Sequence, residues 1–326
     1  MPTPPSTPTL GLGCWPLSGP MYFGDLSIGY ATTDPADAPR IIHAALDHGI
    51  TIFDTAAAYG AGRGERIVGD ALKGREATII TKIGLDIDEG TQRITGENTD
   101  PAAVSPAIDA ALSRLGRDHI DTVLLHLNSL APDIAAPIFD ALEAEVTAGR
   151  IGGYGWSTDY PDNAASLSGR HGLTAIEHCM NVFFDAHLLR EAAADQGLSH
   201  YIRSPLAMGL LAGRFDANSG VAPDDVRASD QSWMDYFDAD GNVTPEFAGK
   251  LEAVRELLQT GGRTLAQGAL GWLWAHGTQI VPVPGASKVA QVEDNAGALS
   301  FGPLPEAVMT EIATLIPRDL SPPRDR

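Results

Sequence analysis

The feature that most constrains the fold is a regular alternation of short apolar runs with longer amphipathic segments. Eight such runs occur along the 326 residues, at TLGLGC (9–14), ITIFDT (50–55), TIITKI (78–83), DTVLLH (121–126), GGYGWS (152–157), AIEHCM (175–180), SHYIRS (199–204) and QIVPVP (279–284). Runs that are apolar on both faces are typical of parallel strands that are covered on both sides. The segments between them have helical spacing of apolar residues, over 34–49, 64–74, 101–116, 136–149, 161–170, 186–196, 246–259 and 264–276, with two more after Lys288 and Pro305. Strand–helix units repeated in this way predict a (β/α)8 TIM barrel, an α/β fold, as a single domain over residues 1–326.

Two other architectures fit the pattern less well. An open doubly wound sheet is expected to carry G-x-G-x-x-G in its first strand-to-helix turn. Instead, GLGCWPLSG (11–19) has its glycines at other spacings and is interrupted by Trp and Pro. A solenoid needs a repeat of fixed period, and none is visible. The Pro- and Thr-rich residues 1–8 are expected to be flexible, and they lack the basic start and apolar run of a signal peptide.

Composition argues against several classes of partner. Hydrophobic residues make up 44% of the chain, which is enough for a large core, and no apolar stretch reaches the length of a membrane span. The 42 acidic and 22 basic residues give a net charge of -20, which repels nucleic acid and anionic membranes. Cys14 and Cys179 lie far apart and without C-x-x-C spacing, which favours reduced thiols in a cytoplasmic protein. We therefore expect neither a nucleic-acid nor a membrane partner.

Four ionisable side chains stand where three neighbouring strands end. Asp54 closes the second strand, Tyr59 follows in the next turn, Lys82 lies at the end of the third strand and His126 at the end of the fourth. Each has an ordinary structural explanation by itself: a turn cap, a packed aromatic ring, an ion pair or a core histidine. In a barrel, however, all four would lie on the same rim, where active sites are built. Their coincidence favours a catalytic site.

These four residue types suit the reduction of a carbonyl group. A tyrosine phenol has an ordinary pKa of about 10, too high for efficient acid–base catalysis near neutral pH, and a neighbouring ammonium is predicted to lower that pKa. Lys82 can supply that charge and Asp54 can hold Lys82, while His126 can orient a substrate oxygen beside Tyr59. Side chains cannot carry hydride, so a nicotinamide cofactor is expected. The sequence shows no cluster of metal ligands that would polarise the carbonyl instead.

Several motifs resemble the aldo-keto reductase superfamily, and they cover nearly the whole chain. FDTAAAYGAGRGERIVGDAL (53–72) is similar to the family's F-D-T-A-x-x-Y-G…E…G-x-A-L signature. The motifs that follow in the family's order are TKIG (81–84), RLGRDHIDTVLLH (114–126), GRIGGYGWS (149–157), SPLAMGLLAGRF (204–215) and PVPGASKVAQVEDNAGAL (282–299). The resemblance implies a catalytic tetrad of Tyr59 as the acid–base, Lys82 and Asp54 tuning it, and His126 orienting the carbonyl.

The resemblance also implies a cofactor site that needs no Rossmann unit. The residues placed along it are Cys14, Trp15, Asp54, Ser157, Thr158, Glu177, Arg203, Ser204, Pro205, Leu206, Gly209, Arg214, Arg227, Gly285, Ser287, Lys288, Gln291, Asp294 and Asn295. Glu177 stands where the family usually has Gln, and Arg203 where it often has an aromatic residue that stacks on nicotinamide. Backbone N–H groups of residues 204–209 and the helix that begins near Ser287 favour phosphate. Lys288 stands where a 2′-phosphate would lie, which favours NADP(H) over NAD(H).

The resemblance implies an oxidoreductase that interconverts a small aldehyde, ketone or aldose and its alcohol, with the oligomeric state open. A cofactor-binding sensor or regulatory subunit with slow turnover is a second hypothesis. A metal-dependent hydrolase barrel using Asp54 and His126 is a third, on fold analogy alone. The segment 212–242, with Trp233, Tyr236 and Phe237, is predicted either to line a substrate pocket or to pack over the barrel. The polar segment GLDIDEGTQRITGENTD (84–100) is expected to be a rim loop that suits a sugar or polyol.

Overall fold

A computed structural model describes residues 8–30, 34–215, 220–222, 225–229 and 234–317. The strands within these ranges are β1 Gly11–Gly13, β2 Tyr22–Phe23, β3 Leu26–Ser27, β4 Ile52–Asp54, β5 Thr78–Ile83, β6 Leu85–Asp88, β7 Arg93–Glu97, β8 Thr122–Leu125, β9 Tyr154–Ser157, β10 Leu173–Cys179, β11 Ser199–Arg203 and β12 Ile280–Pro282. The α-helices are α1 Ala38–Asp47, α2 Arg63–Ala71, α3 Val104–Leu115, α4 Pro132–Thr147, α5 Pro161–Ser166, α6 His187–Ala193, α7 Pro245–Leu258, α8 Leu265–Trp274, α9 Val289–Gly297 and α10 Glu306–Leu315. Of residues 1–8, only Pro8 lies within the described ranges, and Trp233 lies outside them.

Eight parallel strands form the barrel predicted from the sequence. Their order is β1-β4-β5-β8-β9-β10-β11-β12, and each neighbouring pair is parallel. A parallel bridge between Gly13 and Gly285 brings the last strand back to the first, with the Gly13 amide donating to the Pro284 carbonyl at 3.1 Å. A Cβ at Gly13 would lie 2.6 Å from the Val283 carbonyl oxygen, so the seam closes only because no side chain is present there. This closure confirms the (β/α)8 barrel and excludes the open sheet.

The continuously apolar strands are explained by burial on both faces. Inside the barrel, one cluster fills the interior with Ile80, Leu124, Ala175, Tyr201, Val281 and Val283. Neighbouring residues such as Ile79 and Val123 point the other way and belong to the large cluster between strands and helices. Because successive strand residues point to opposite faces, a strand buried on both sides loses the apolar–polar alternation and reads as one apolar run.

A second, four-stranded sheet covers one side of the barrel mouth, and the sequence did not predict it. Its order is β3-β2-β7-β6, and it includes most of the segment that was expected to be a rim loop. Strands β6 and β7 form an antiparallel hairpin, whose turn is closed by Asp88 accepting hydrogen bonds from the Gly90 amide and the Thr91 hydroxyl. Strand β2 pairs with β7 in parallel, although about 70 residues separate them, and no local pattern encodes such a pairing.

A buried carboxylate fixes this hairpin to the barrel. Glu65 of α2 is fully buried and accepts from the Thr81 hydroxyl at 2.5 Å and from Arg114 Nε at 2.6 Å. Arg114 also reaches Glu89 in the hairpin turn, 3.4 Å away, and Glu89 pairs with Arg66 as well. The network joins α2, α3, β5 and the hairpin, so the rim sheet is held in one place over the mouth.

Candidate active site

The barrel brings the four predicted catalytic side chains to one end. Asp54 is the last residue of β4, Tyr59 lies in the turn that follows, Lys82 is in β5 and His126 follows β8. Lys82 Nζ lies 2.5 Å from Asp54 Oδ1 and 3.3 Å from the Tyr59 hydroxyl. The rings of Tyr59 and His126 meet edge to face with centroids 6.0 Å apart. Adjacent parallel strands therefore assemble a tetrad from residues that are 72 positions apart at the extremes.

A second carboxyl group, that of Glu177, shares the ammonium of Lys82. Glu177 Oε2 lies 3.4 Å from Lys82 Nζ, and Oε1 accepts from the Ser157 hydroxyl at 3.0 Å. Burial alone would lower the pKa of Lys82, but the carboxylates of Asp54 and Glu177 outweigh burial and raise that pKa above its ordinary value. Lys82 is therefore a permanent cation. Burial raises the pKa of Asp54 to about 8, the Glu177 carboxyl adds to the rise, and Lys82 opposes it.

The phenol of Tyr59 does not have the lowered pKa that the sequence suggested. Burial raises the pKa of Tyr59 above its ordinary value, and the lowering by Lys82 is countered by Asp54 and Glu177. The sequence argument counted only the ammonium, whereas the fold places two carboxyls and an apolar ring beside it. Trp15 stacks on Tyr59 with centroids 5.7 Å apart, which contributes to that burial. The Tyr59 phenol is consequently protonated at neutral pH.

His126 is a neutral imidazole with a free ring nitrogen. Burial, together with smaller contributions from the positive charges of Lys82 and Arg203, lowers the pKa of His126 to about 3. Its backbone amide donates to the Ile83 carbonyl at 2.7 Å, which fixes the residue at the end of its strand. Its Nδ1 is buried and has no hydrogen-bond partner among the described residues. A neutral imidazole at this position can donate one hydrogen bond to a substrate oxygen.

A cavity of about 730 Å³ opens at this end of the barrel. The predicted site residues that line it are Trp15, Asp54, Tyr59, His126, Ser157, Arg203, Ser204, Pro205, Leu206, Gly209, Arg214, Arg227, Gly285, Ser287, Gln291, Asp294 and Asn295. It extends from the tetrad past the loop 204–209 to the start of α9. Within the described ranges, no three His, Cys, Asp or Glu side chains are grouped so that they could hold a metal ion.

The structure places four of the predicted cofactor residues behind or beside this wall. Cys14 is fully buried and its Sγ lies 3.6 Å from the Leu12 carbonyl oxygen. Thr158 points away from the cavity and donates to the Asn128 carbonyl at 2.6 Å. Glu177 lies beneath the tetrad, and Lys288 is an exposed residue that immediately precedes α9. Whether a residue reaches the cavity depends on the direction of its side chain, and the spacing of motifs in the sequence does not determine that direction.

Two arginines of the cavity wall, the partly buried Arg203 and the buried Arg227, are paired with carboxylates. Arg203 pairs with Asp159, whose other oxygen accepts from the Cys179 amide at 2.8 Å. Arg227 forms a two-pronged pair with Asp225, with both N–O distances 2.7 Å. Each guanidinium charge is thus balanced by a neighbouring carboxylate, and the assignment of Arg227 to the cofactor site stays a prediction. Arg214 is exposed at the same end of the cavity.

The loop after β11 is a tight turn with several left-handed residues. Ser204, Ala207, Met208 and Gly209 all have positive φ, at 52°, 47°, 55° and 98°. The amides of Ala207 and Gly209 donate within the loop, to the Ser204 and Leu206 carbonyls at 3.0 and 2.9 Å. At the start of α9, Gln291 Oε1 accepts from the Ser287 amide at 2.8 Å and from its hydroxyl at 3.1 Å. Asp294 instead accepts from Thr264 of the neighbouring helix N-terminus at 2.9 Å.

The sequence analysis missed the residues that form the outer wall of the cavity. They are Met21, Phe23, Ile28, Tyr30, Leu85, Ile94, Glu97, Leu127, Asn128 and Ser129. Leu85 and Ile94 alternate with the exposed Asp86 and Thr95, and this two-residue period was the signal that could have identified the hairpin. The hairpin presents the apolar Leu85 and Ile94 to the cavity together with the polar Glu97, so a sugar or polyol substrate stays a prediction. Tyr236 lines the cavity, whereas Phe237 packs in the core.

Comparison with known proteins identifies the same family that the sequence motifs and the tetrad indicate. The family model described as "Aldo/keto reductase family" matches residues 9–317. The chain is 27% identical over 318 residues to "Aldo-keto reductase yakc [NADP(+)]" of Schizosaccharomyces pombe, covering 94% of this chain and 88% of the relative. Among solved structures, the holo form of aldo-keto reductase AKR11C1 from Bacillus halodurans has a TM-score of 0.74 at 26% identity, covering 95% and 93% of the two chains. The glycerol dehydrogenase AKR11B4 from Gluconobacter oxydans has a TM-score of 0.77 at 25% identity, covering 99% and 97%. With this match over nearly the full length and the tetrad assembled at the barrel mouth, the chain belongs to the aldo-keto reductase family.

Proposed function

We propose that this protein is an NADP(H)-dependent oxidoreductase that interconverts a small aldehyde or ketone and the corresponding alcohol. The observation that carries the proposal is the Tyr59 hydroxyl, which faces the cavity and lies 3.3 Å from the ammonium of Lys82. A phenol with a raised pKa is protonated at neutral pH and can give its proton to a developing alkoxide. The yeast relative's name states NADP(+), which supports the choice of cofactor.

The residues present fit a dinucleotide cofactor. The cavity is long enough to join the tetrad to the start of α9, and the positive-φ loop 204–209 lies between them. Residues of this loop line the cavity between its two ends, where the pyrophosphate would lie, and the N-terminus of α9 suits a further phosphate. The exposed ammonium of Lys288 and the exposed guanidinium of Arg214 support a preference for the 2′-phosphate of NADP(H). The bound nicotinamide would supply or accept the hydride at the carbonyl carbon.

In the proposed mechanism, the protein binds the carbonyl oxygen and moves one proton. His126 donates a hydrogen bond that orients the oxygen, and Tyr59 gives its proton to that oxygen as charge develops on it. Lys82 lies 3.3 Å from the phenol oxygen and stabilises the phenolate that remains. Trp15 covers one face of the Tyr59 ring and reduces the access of water. Each of these steps runs in reverse for alcohol oxidation.

The outer wall supports a substrate with an apolar substituent. Met21, Ile28, Leu85 and Ile94 line the cavity, and Met21 and Ile94 belong to a small buried cluster with Ala58, next to Tyr59. The same wall carries the polar residues Glu97, Asn128 and Ser129, which can accept or donate hydrogen bonds to hydroxyl groups. The wall therefore suits a substrate with one apolar and one polar side, and aldoses are tested beside aliphatic and aromatic aldehydes and ketones.

The experiment that tests the proposal measures oxidation of NADPH with a panel of aldehydes, ketones and aldoses. Tyr59→Phe should lower kcat by about 100-fold or more, since general acid catalysis contributes on that order, and should retain NADPH binding. Tyr154→Phe is the matched control, because it removes a buried hydroxyl that donates to Glu143 on the outside of the barrel. No turnover by the wild type, with tight NADPH binding, would favour a sensor, and absence of NADPH binding would refute both functions.

A further inference from the structure

Beneath the tetrad, two buried carboxyl groups share a single buried ammonium. Asp54 Oδ1 and Glu177 Oε2 lie 2.5 and 3.4 Å from Lys82 Nζ, and all three residues are at most 4% exposed. If both carboxyls were ionised, the trio would carry a net negative charge with almost no contact with water. An uncompensated buried charge is costly, and buried groups of this kind take up or release a proton instead.

The hydrogen bonds around Glu177 show where such a proton belongs. Glu177 Oε1 accepts from the Ser157 hydroxyl, whereas Oε2 is buried and lacks a hydrogen-bond partner among the described residues. Asp54 Oδ1 and Glu177 Oε2 both lie against the same Lys82 Nζ, and the Glu177 carboxyl is one of the causes that raise the pKa of Asp54. One proton held by the two carboxyls makes the trio neutral.

We propose that Glu177 is a positioning residue of the proton relay, which holds one exchangeable proton jointly with Asp54 and thereby sets the net charge beneath Tyr59. This inference rests on the proposed reductase function for its kinetic consequence, but the shared proton is a property of the protein without cofactor or substrate.

The other titratable and charged groups near the trio do not remove the need for this proton. They are Cys14 after β1, Tyr59 after β4, His126 after β8, and Tyr201 and Arg203 in β11. Cys14, Tyr59 and Tyr201 are neutral because burial raises the pKa of each. His126 is neutral because burial lowers its pKa to about 3. Arg203 is charged, but its guanidinium is paired with Asp159.

The shared proton has a defined effect on the reaction. Burial, followed by the Glu177 carboxyl, raises the pKa of Asp54 to about 8, so the trio loses a proton as the pH rises through that value. The trio then becomes negative and opposes ionisation of the nearby phenol, so Tyr59 keeps its proton and the reductive reaction persists to higher pH. In Glu177→Gln, one carboxylate and one ammonium remain, and this ionisation is absent. In the wild type, one negative charge of the trio then acts on the Tyr59 phenol over about 6 Å, and the variant lacks that charge. By Coulomb's law at an effective dielectric constant of about 20, its loss lowers the pKa of the phenol, so the alkaline limb of kcat should lie about one to two pH units lower in the variant.

Infrared difference spectroscopy of the cofactor-free protein, titrated from about pH 6 to about pH 10, tests the shared proton directly. The C=O stretching band of a protonated carboxyl should disappear near pH 8 in the wild type. The band should be missing in Glu177→Gln and also in Asp54→Asn, because either change leaves one carboxyl to pair with Lys82. Glu145→Gln is the matched control: Glu145 is a buried glutamate whose Oε2 lies 3.3 Å from Arg150 Nε on the outside of the barrel, and its replacement should leave the band unchanged.

The outcomes separate this inference from the proposed function. The proposal of a shared proton is overturned if the band is absent from the wild type or if it persists in folded Glu177→Gln. Either result counts whether or not the protein reduces carbonyls. Loss of the band in both carboxamide variants supports it even if no substrate is found, and circular dichroism of each variant verifies the fold. Where turnover is measurable, an alkaline limb of kcat that does not move in Glu177→Gln overturns the role of Glu177 in setting the charge beneath Tyr59.

Discussion

Replacing Lys82 by Met should destabilise the protein in a strongly pH-dependent way. The substitution removes the only cation between Asp54 and Glu177, from a site where its Nζ lies 2.5 and 3.4 Å from the two carboxyls. Breaking a buried ion pair by removing one partner typically costs about 3–5 kcal/mol. The carboxyls can limit this cost by both taking up protons, so that the variant binds one proton more than the wild type in the folded state.

The size of the effect follows from that additional proton. An ordinary carboxyl has a pKa of 3.8 in the unfolded chain. Keeping it protonated at pH 7 costs about 4 kcal/mol, and at pH 5 about 2 kcal/mol. The sign is fixed because the folded variant holds a proton that the unfolded chain releases above about pH 4, so the variant's loss of stability grows as the pH rises.

Urea unfolding followed by tryptophan fluorescence at both pH values measures this difference in the free energy of unfolding. Lys250→Met is the matched control, because Lys250 Nζ lies 2.6 Å from Glu246 on an exposed helix face, where a pair contributes about 1 kcal/mol or less. A loss for Lys82→Met that is under about 1 kcal/mol at pH 7, or that is equal at the two pH values, would refute the reasoning.

Two further predictions concern the histidine pair and the cofactor. His178 Nε2 lies 3.1 Å from His200 Nδ1 inside the barrel wall, and burial lowers the pKa of each from 6.5 to about 3. The unfolded chain therefore binds more protons than the folded protein between these two values. The free energy of unfolding is consequently highest above about pH 6.5 and falls as the pH drops. At pH 5 each histidine lowers it by about 2 kcal/mol. His200→Gln should make thermal unfolding less sensitive to acid between pH 7 and pH 5, and an unchanged sensitivity would contradict this account. Lys288→Met should weaken NADPH binding by about tenfold and leave NADH binding nearly unchanged, since a charge-assisted bond to phosphate contributes about 1.5–3 kcal/mol at most. Isothermal titration calorimetry with both cofactors checks this. An equal loss of affinity for the two cofactors would assign Lys288 to another role.

The fold was predictable because its information is local and repeated. Each barrel strand is an apolar run, each helix has its own period, and Gly116 ends α3 in the left-handed conformation expected of a helix stop. The tetrad was predictable for the same reason, because parallel strands deliver whatever follows them to one end of the barrel. Asp54, Lys82 and His126 could thus be placed together without knowledge of a single distance.

The rim sheet and the electrostatics were not predictable in this way. Pairing of β2 with β7 and the contact between Glu177 and Lys82 join residues far apart in the chain, and no local period records either. The pKa of Tyr59 depends on burial together with the balance of one ammonium and two carboxyls, so its direction was wrong when only Lys82 was counted.

The sequence by itself determined the order of strands and helices, the barrel and the four residues at its mouth, since these depend on periodicity and on the direction of parallel strands. Only the tertiary structure decided which side chains reach the cavity, which face of the hairpin lines it, and how many charges lie beneath Tyr59. These properties depend on distance and on exclusion of water, and both arise when segments that are remote in sequence pack against each other.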